Sequence, residues 1–182
     1  MLFRSEDWKI VRNFRHNDPY YQPETGMYEI PRKDLYSCKR VISRVMSRLW
    51  NEPDYAIVEL DRPMQGVEPV ARIQRRLTAD EGIFALGYPF GTALKYAHGQ
   101  VRKDANVNTY VMAVDTFIGN SGSPVYDDRE KKLVGLLSSG ESDWVFDNQF
   151  GCNVTKVCQS GKCLGERVFK VSALEGIIRQ LR

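Results

Sequence analysis

Histidine is nearly absent from this chain: only His16 and His98 occur among its 182 residues. Two imidazoles are then all it offers for acid–base work near neutral pH. Charge of one sign is lacking too. The 26 Lys and Arg stand against 23 Asp and Glu, for a net charge of +3. Nor is the excess gathered in one place. Arg72, Arg75 and Arg76 come nearest to a basic block, and a solvated surface accounts for them. A nucleic-acid partner, which needs a clustered basic face, is not implied. No apolar run approaches the ~20 residues of a membrane span, so no membrane partner is expected. No secretory signal pattern is expected at the start, where Met1-Leu2 is followed by Phe3-Arg4-Ser5-Glu6-Asp7-Trp8. Cysteine is sparse. Cys38 stands alone, while Cys152, Cys158 and Cys163 cluster in a Gly/Ser/Asn-rich segment. Such a cluster suggests a local disulfide and an oxidising compartment, with the pairing left open. A zinc site is the rival reading, but the spacing fits no usual ligand pattern and no histidine is near. The remainder, 42% hydrophobic and 27% charged, is ordinary for a globular protein, and the length suits one domain or a tight pair of small ones.

What is present centres on Gly119-Asn120-Ser121-Gly122-Ser123-Pro124. Apolar runs flank it, Tyr110–Val114 before and Val125-Tyr126 after. Two glycines admit backbone angles that other residues avoid, so the segment reads as a tight turn lifting one hydroxyl between two strands. A serine hydroxyl becomes a nucleophile only when a neighbouring base takes its proton. It also needs backbone N–H donors aimed at the oxyanion it creates. A Gly-x-Ser-Gly turn can supply the hydroxyl and the donors. An ordinary Gly/Ser hairpin loop is the other reading.

Short apolar runs alternate with polar turns along the chain. Trp8–Val11, Leu35–Ile42 (with a kink), Asp54–Leu60, Ile83–Gly87, Gly99–Arg102, Tyr110–Val114, Val125-Tyr126 and Leu133–Ser138 read as strands. Asp127–Lys132 reads as a hairpin turn, and Asn17–Gly26 as a polar loop. Such spacing argues for an all-β antiparallel sandwich or barrel. The tail differs. Ser172 and Glu175 fit a capping box, and Leu174, Ile177, Ile178 and Leu181 fall on one helical face, predicting a C-terminal amphipathic helix.

Three segments carry a resemblance. Gly119–Val125 reads Gly-Asn-Ser-Gly-Ser-Pro-Val. It resembles the nucleophile turn of the trypsin-like serine endopeptidases, in particular the bacterial branch that includes the glutamyl endopeptidases. Asp54-Tyr55-Ala56-Ile57-Val58-Glu59-Leu60 looks like that family's strand bearing the triad aspartate. Val134–Gly140 looks like the strand whose end lines the substrate cleft. They occur in the family's order and anchor roughly residues 36 to 182. The resemblance implies two antiparallel Greek-key β-barrels, the first incomplete, and a C-terminal helix. Residues 1–75 would be the partial first barrel with Asp54, and 76–182 the second barrel with Ser121 and the helix.

The resemblance also implies roles. Ser121 would be the nucleophile, with the N–H groups of Gly119 and Ser121 as the oxyanion hole. Asp54 would orient the base. Asp115, six residues before Ser121, would lie at the base of the primary specificity pocket and favour a substrate Arg or Lys. The alternative has that carboxylate turned away. Gly140 would leave room for a long side chain, and Ser138 would contact substrate in the cleft. Gly87-Tyr88-Pro89-Phe90-Gly91 looks like a family loop and reads as a structural turn. No cofactor or metal is implied, and the partner would be a polypeptide substrate acted on by a monomer.

The family's histidine is where the chain departs. His98 falls between Asp54 and Ser121, the wrong order, and His16 sits in a polar loop, Asn13–Pro19, unlike the family's apolar strand end. The expectation is a chain without the start of the first barrel, its histidine and its signal peptide. The full-length protein would be secreted or periplasmic. Loss of one triad member leaves a rate roughly 10⁴- to 10⁶-fold short of the intact enzyme, and open strand edges invite aggregation. A pseudo-protease, the same fold kept as a protein-binding module, is the alternative, and completion of the triad by His16 a third.

Overall fold

Along Gly82–Gly87 every second residue is buried, with Ile83, Ala85 and Gly87 on one face. That period of two is what a strand with one wet face requires. The same pattern recurs through the chain and builds its sheets. The structure, a computed structural model, describes residues 8–12, 14, 20–46, 53–157 and 163–180. Among them thirteen strands are found. They are β1 (Lys9–Val11), β2 (Tyr21–Gln22), β3 (Met27–Tyr28), β4 (Leu35–Val45), β5 (Tyr55–Leu60), β6 (Gly82–Gly87) and β7 (Lys95–Asp104). The others are β8 (Thr109–Val114), β9 (Pro124–Asp127), β10 (Leu133–Ser139), β11 (Trp144–Asp147), β12 (Cys152–Thr155) and β13 (Glu166–Lys170). One short helix, α1 (Glu175–Gln180), follows. No helix among the described residues is long and apolar enough to cross a membrane. The fold is all-β with a short C-terminal helix, as expected.

The chain divides into two compact units, Met1–Ser47 with Asp54–Pro69, and Val70–Arg182 with Arg48–Pro53. In the first, β1, β4 and β5 form an open three-stranded sheet, and β2 and β3 a small hairpin. Register shifts between Cys38 and Arg40 and between Val41 and Ser43 put irregularities in β4 where a kink was expected. Tyr36 and Cys38 are its buried apolar residues. The Arg62 guanidinium lies 4.2 Å from the Tyr36 ring centre and donates to the Leu35 carbonyl at 2.9 Å. A cation over an aromatic face thereby closes the open sheet's end.

In the second unit six antiparallel strands close a barrel in the order β10-β13-β8-β7-β6-β9. Its interior holds Ile83, Val101, Met112, Val125, Val134 and Val168, each at most 1% exposed. Burying a side chain of that size stabilises by about 1.5–3 kcal/mol. Closure removes the free edges that an open sheet presents. The turn Asp127–Lys132 joins β9 to β10 as a hairpin: the Lys131 N–H donates to the Asp127 carbonyl and the Asp127 N–H to the Lys132 carbonyl, both at 2.9 Å.

Four features depart from the sequence reading. The hairpin β2–β3, whose first strand lies within the expected loop Asn17–Gly26, the hairpin β11–β12 and the strand β13 were not foreseen. The capping box does not form: Ser172 lies inside a 3₁₀ turn, Val171–Leu174, whose N-cap is Lys170 without a side-chain cap bond. That tighter turn is anchored by Val171 and Leu174, both buried, so burial rather than capping decides where the chain leaves β13. Leu181, assigned to the helical face, lies outside the described residues. Of the cysteines, Cys38 and Cys152 are free, Cys163 is disulfide-bonded, and Cys158 lies outside the described residues.

Candidate active site

The turn bearing Ser121 links β8 to β9, two strands of the closed barrel. Its backbone needs glycine. Gly119 has φ +95°, a region that side chains enter only with strain. A Cβ there would also meet the Phe90 backbone nitrogen at 2.7 Å. Phe90 belongs to the 3₁₀ turn Pro89–Gly91, and its N–H donates to the Ile118 carbonyl at 3.1 Å. The segment Gly87–Gly91 is thus a structural brace for the serine turn, as its sequence suggested.

Asn120 is buried, at 6% exposure. Its N–H donates to the Phe117 carbonyl at 3.1 Å, and its carbonyl accepts the Ser123 N–H at 2.8 Å. Turning Asn120 inward turns Ser121 outward, and the hydroxyl stands exposed. The Ser121 Oγ donates to the Ser138 carbonyl oxygen at 3.3 Å. The Ser138 hydroxyl accepts from the buried Arg167 guanidinium at 2.9 Å. Two further bonds tie the turn to β10: the Gly122 N–H to the Leu137 carbonyl at 2.7 Å and the Leu137 N–H to the Ser123 carbonyl at 2.9 Å. Neither the Gly119 nor the Ser121 amide has a backbone acceptor among the described residues. An exposed hydroxyl on a braced turn, beside two unclaimed donors, can both attack a carbonyl and hold the oxyanion it makes.

Next to the turn lies a cavity of about 610 Å³. Its wall includes Asp115 and Thr116, which follow β8, and Glu141 and Asp143, which follow β10. Asp115 is exposed and Thr116 buried. The Asp143 Oδ2 accepts the Ile118 N–H at 2.8 Å, which ties the wall to the serine turn. The room beside Gly140 is taken from within: a Cβ at that position would overlap the carboxylate of Glu166. Glu166 opens β13 and also lines the cavity. Burial pushes its carboxyl up to about 7; a hydrogen bond from Thr116 opposes this, and the charges of Asp143, Glu141 and Asp115 add to it. Sequence reasoning missed Glu166 because its strand was not recognised. Trp144 packs against Phe90 and against Phe117 of the cavity wall, with ring centres 5.9 Å and 6.3 Å apart.

Asp54 stands half-buried at the entry to β5, in the first unit. His98 lies on β7 and faces Asp128, Nε2 to Oδ2 at 3.6 Å, so its imidazole is engaged at another part of the barrel surface. His16 lies outside the described residues. Among the described residues no group of three or more His, Cys, Asp or Glu is disposed to hold a metal.

Comparison with known proteins bears on family and fold. The family model of the trypsin-like peptidase domain matches residues 29–136, more than half of the chain. The structure is similar to that of Rv3671c from M. tuberculosis, a serine-to-alanine mutant in an inactive form, at 14% identity and a TM-score of 0.55, covering 83% of this chain and 67% of that one. It is also similar to kallikrein-related peptidase 10 in complex with Zn2+, at 15% identity and a TM-score of 0.56, covering 82% of this chain and 74% of that one. At such identities the likeness is one of fold. No curated protein matches the sequence.

Proposed function

Because the chain belongs to the family of trypsin-like peptidase domains, we propose that it is a serine endopeptidase whose nucleophile is Ser121. The observation that carries this reading is the braced turn itself, with an exposed hydroxyl beside the open amides of Gly119 and Ser121. In the reaction, the Ser121 Oγ adds to the scissile carbonyl carbon and its proton passes to an imidazole base, a role that His98, the one described histidine, is not placed to fill because it faces Asp128. The tetrahedral oxyanion is held by the two amides. Collapse expels the amine, which leaves with that proton, and water then hydrolyses the acyl ester. Asp54 is the residue assigned to orient the imidazole. The seven residues Gly119–Val125 support placement near the bacterial glutamyl-endopeptidase branch, a group acting on polypeptides outside the cell. Asp115 and Ser138 are assigned to substrate binding, from the cavity wall and the strand end beside the serine, whereas the space expected at Gly140 is filled by the Glu166 carboxylate.

A second reading is favoured by one observation. His98, the one described histidine, is engaged by Asp128, which suits an inert trypsin-like fold used for binding protein. A fluorophosphonate probe tests the first. The peptidase reading expects covalent labelling of the native chain that disappears in Ser121→Ala, located by mass spectrometry. A native chain that takes no label has no activated Ser121, the outcome expected both of the binding module and of a peptidase domain without its imidazole. Labelling that survives in His16→Ala removes His16 from the mechanism.

A further inference from the structure

The ribbon β11–β12 pairs with no other strand among the described residues, so both its long edges are open. The Lys156 N–H donates to the Asp143 carbonyl at 2.8 Å and the Gly151 N–H to the Asp147 carbonyl at 2.9 Å. Strand alternation therefore turns the backbone of Val145 toward β12 too, and that of Trp144 and Phe146 outward. The outward groups of Trp144 are met by the Ser142 hydroxyl, the N–H at 3.4 Å and the carbonyl at 3.1 Å. No side chain among the described residues meets those of Phe146. An open edge is a template for another strand, and edges are commonly blunted by Lys, Pro or a bulge. β11 reads Trp144-Val145-Phe146-Asp147, with no Lys and no Pro, and its register with β12 runs without a bulge. It is also apolar: Phe146 is 60% exposed, and Trp144 and Val145 are exposed as well. Exposed Phe90 and Ile118 lie at its foot, since Trp144 packs on Phe90 and Asp143 accepts the Ile118 N–H. With 150–250 Å² for a whole aromatic side chain, the exposed parts of these five residues come to roughly 500 Å², a patch of the size that marks an interaction site. Two copies meeting there would cover about 1,000 Å², where specific contacts between proteins begin.

We infer that β11 is the interface of a two-fold dimer, in which it pairs antiparallel with β11 of a second copy and joins two ribbons into one four-stranded sheet. The register follows from the alternation, because residues with outward backbone must oppose one another. With the two-fold axis at Val145, Trp144 of each copy stands across from Phe146 of the other. Centring on Phe146 instead would set Trp144 against Asn148, beyond the strand. Opposed aromatic residues stabilise an antiparallel ladder. The edge is thus complementary to itself, which is why the partner is a second copy. One feature opposes it: Asp143 of each copy faces Asp147 of the other, and like charges across a ladder repel. The Asp143 Oδ2 is taken by the Ile118 N–H and the Asp147 Oδ1 by the Gln149 N–H, and Lys156 nearby is paired with Glu141. Salt screens that repulsion, so the dimer tightens as ionic strength rises. The monomer implied by the resemblance is the dissociated state, and the dimer does not depend on any reaction at Ser121.

The test is sedimentation of the native chain from micromolar to near-millimolar concentration, beside Phe146→Lys. A charge on the edge leaves the bonds to β12 in place and should weaken association by about 10-fold or more. The native chain should associate more tightly in high salt. Disulfide trapping reads the register, in a Cys152→Ser background that removes the exposed free thiol. Directly opposed residues of an antiparallel pair hold their Cα atoms within the span of a disulfide. On oxidation Val145→Cys should give a covalent dimer, and Thr155→Cys, on β12, should not. A native chain that stays monomeric throughout overturns the inference, as does association that Phe146→Lys leaves unchanged. Trapping through Thr155→Cys instead of Val145→Cys assigns the contact to the edge of β12 and overturns it too. A monomer whose edge takes up an extended apolar peptide, read as a shift of Trp emission, makes the edge a peptide site and has the same effect. Should Phe146→Lys fail to fold, shown by its urea midpoint, the trapping result decides.

Discussion

Glu166 holds its place at the expense of its charge. Its carboxyl ordinarily loses its proton at 4.5, whereas in the folded chain it does so at about 7. Between those values the folded state binds more protons than the unfolded one, so stability falls as pH rises through the window. Below the lower value both states are protonated and this loss is absent. Glu166→Gln removes the dependence. Thermal melts of the two proteins at a series of pH values should show the native chain losing ground to the variant from 4.5 up to about 7; a constant difference across that range would count against the burial argument. At the same scale, Ser121 was legible in sequence because glycines at 119 and 122 announce a special turn. Glu166 was not, because nothing in Gly165-Glu166-Arg167 marks a charge that folding will shield.

At the scale of elements, the hairpin from β9 to β10 carries one buried charge. Asp127 is 1% exposed. Its Oδ2 accepts the Glu130 N–H at 2.6 Å, and its Oδ1 accepts from Arg75 at 3.2 Å. The side chain thus satisfies the turn's backbone and holds the segment before β6 against it. Asp127→Ala takes the acceptor from the Glu130 amide and an ion-pair partner from Arg75 and is expected to cost about 1–3 kcal/mol, read as a lower urea midpoint at unchanged slope. A cost within ~0.5 kcal/mol would mean that the turn is set by its backbone alone. This hairpin was readable, since Asp127–Lys132 is a polar break between two apolar runs. β11–β12 was not. Trp144, Val145 and Phe146 are all substantially exposed, so no alternation of burial marks them as a strand. The helix start was misread for a related reason: Ser172 and Glu175 have the capping-box spacing, yet burial of Val171 and Leu174 sets a tighter turn.

For the whole molecule, the two units differ in how their edges end. The closed barrel has every strand paired on both sides, whereas among the described residues β1 and β5 each have a single neighbour in the open sheet. Local opening is cheapest where backbone bonds are few and exposed. Amide hydrogen exchange is therefore expected to be slowest at Ile83, Val101, Met112 and Val125, and much faster in β1 and the β2–β3 hairpin. Equal protection in both units would show that they open together and that edge pairing does not set the order.

The residues alone determined the class of fold and the serine turn, because period-two burial and glycine-bracketed turns are local properties of a chain. The three ordered segments around Asp54, Ser121 and Val134–Gly140 carried the family by the same token. Tertiary structure decided what stands in the cavity at the ends of β8, β10 and β13. That depended on β13 closing the barrel between β8 and β10 and bringing Glu166 to Gly140, residues 26 positions apart whose meeting no local pattern encodes. A charge in a cavity is a property of everything packed around it, and in sequence its neighbours are far away.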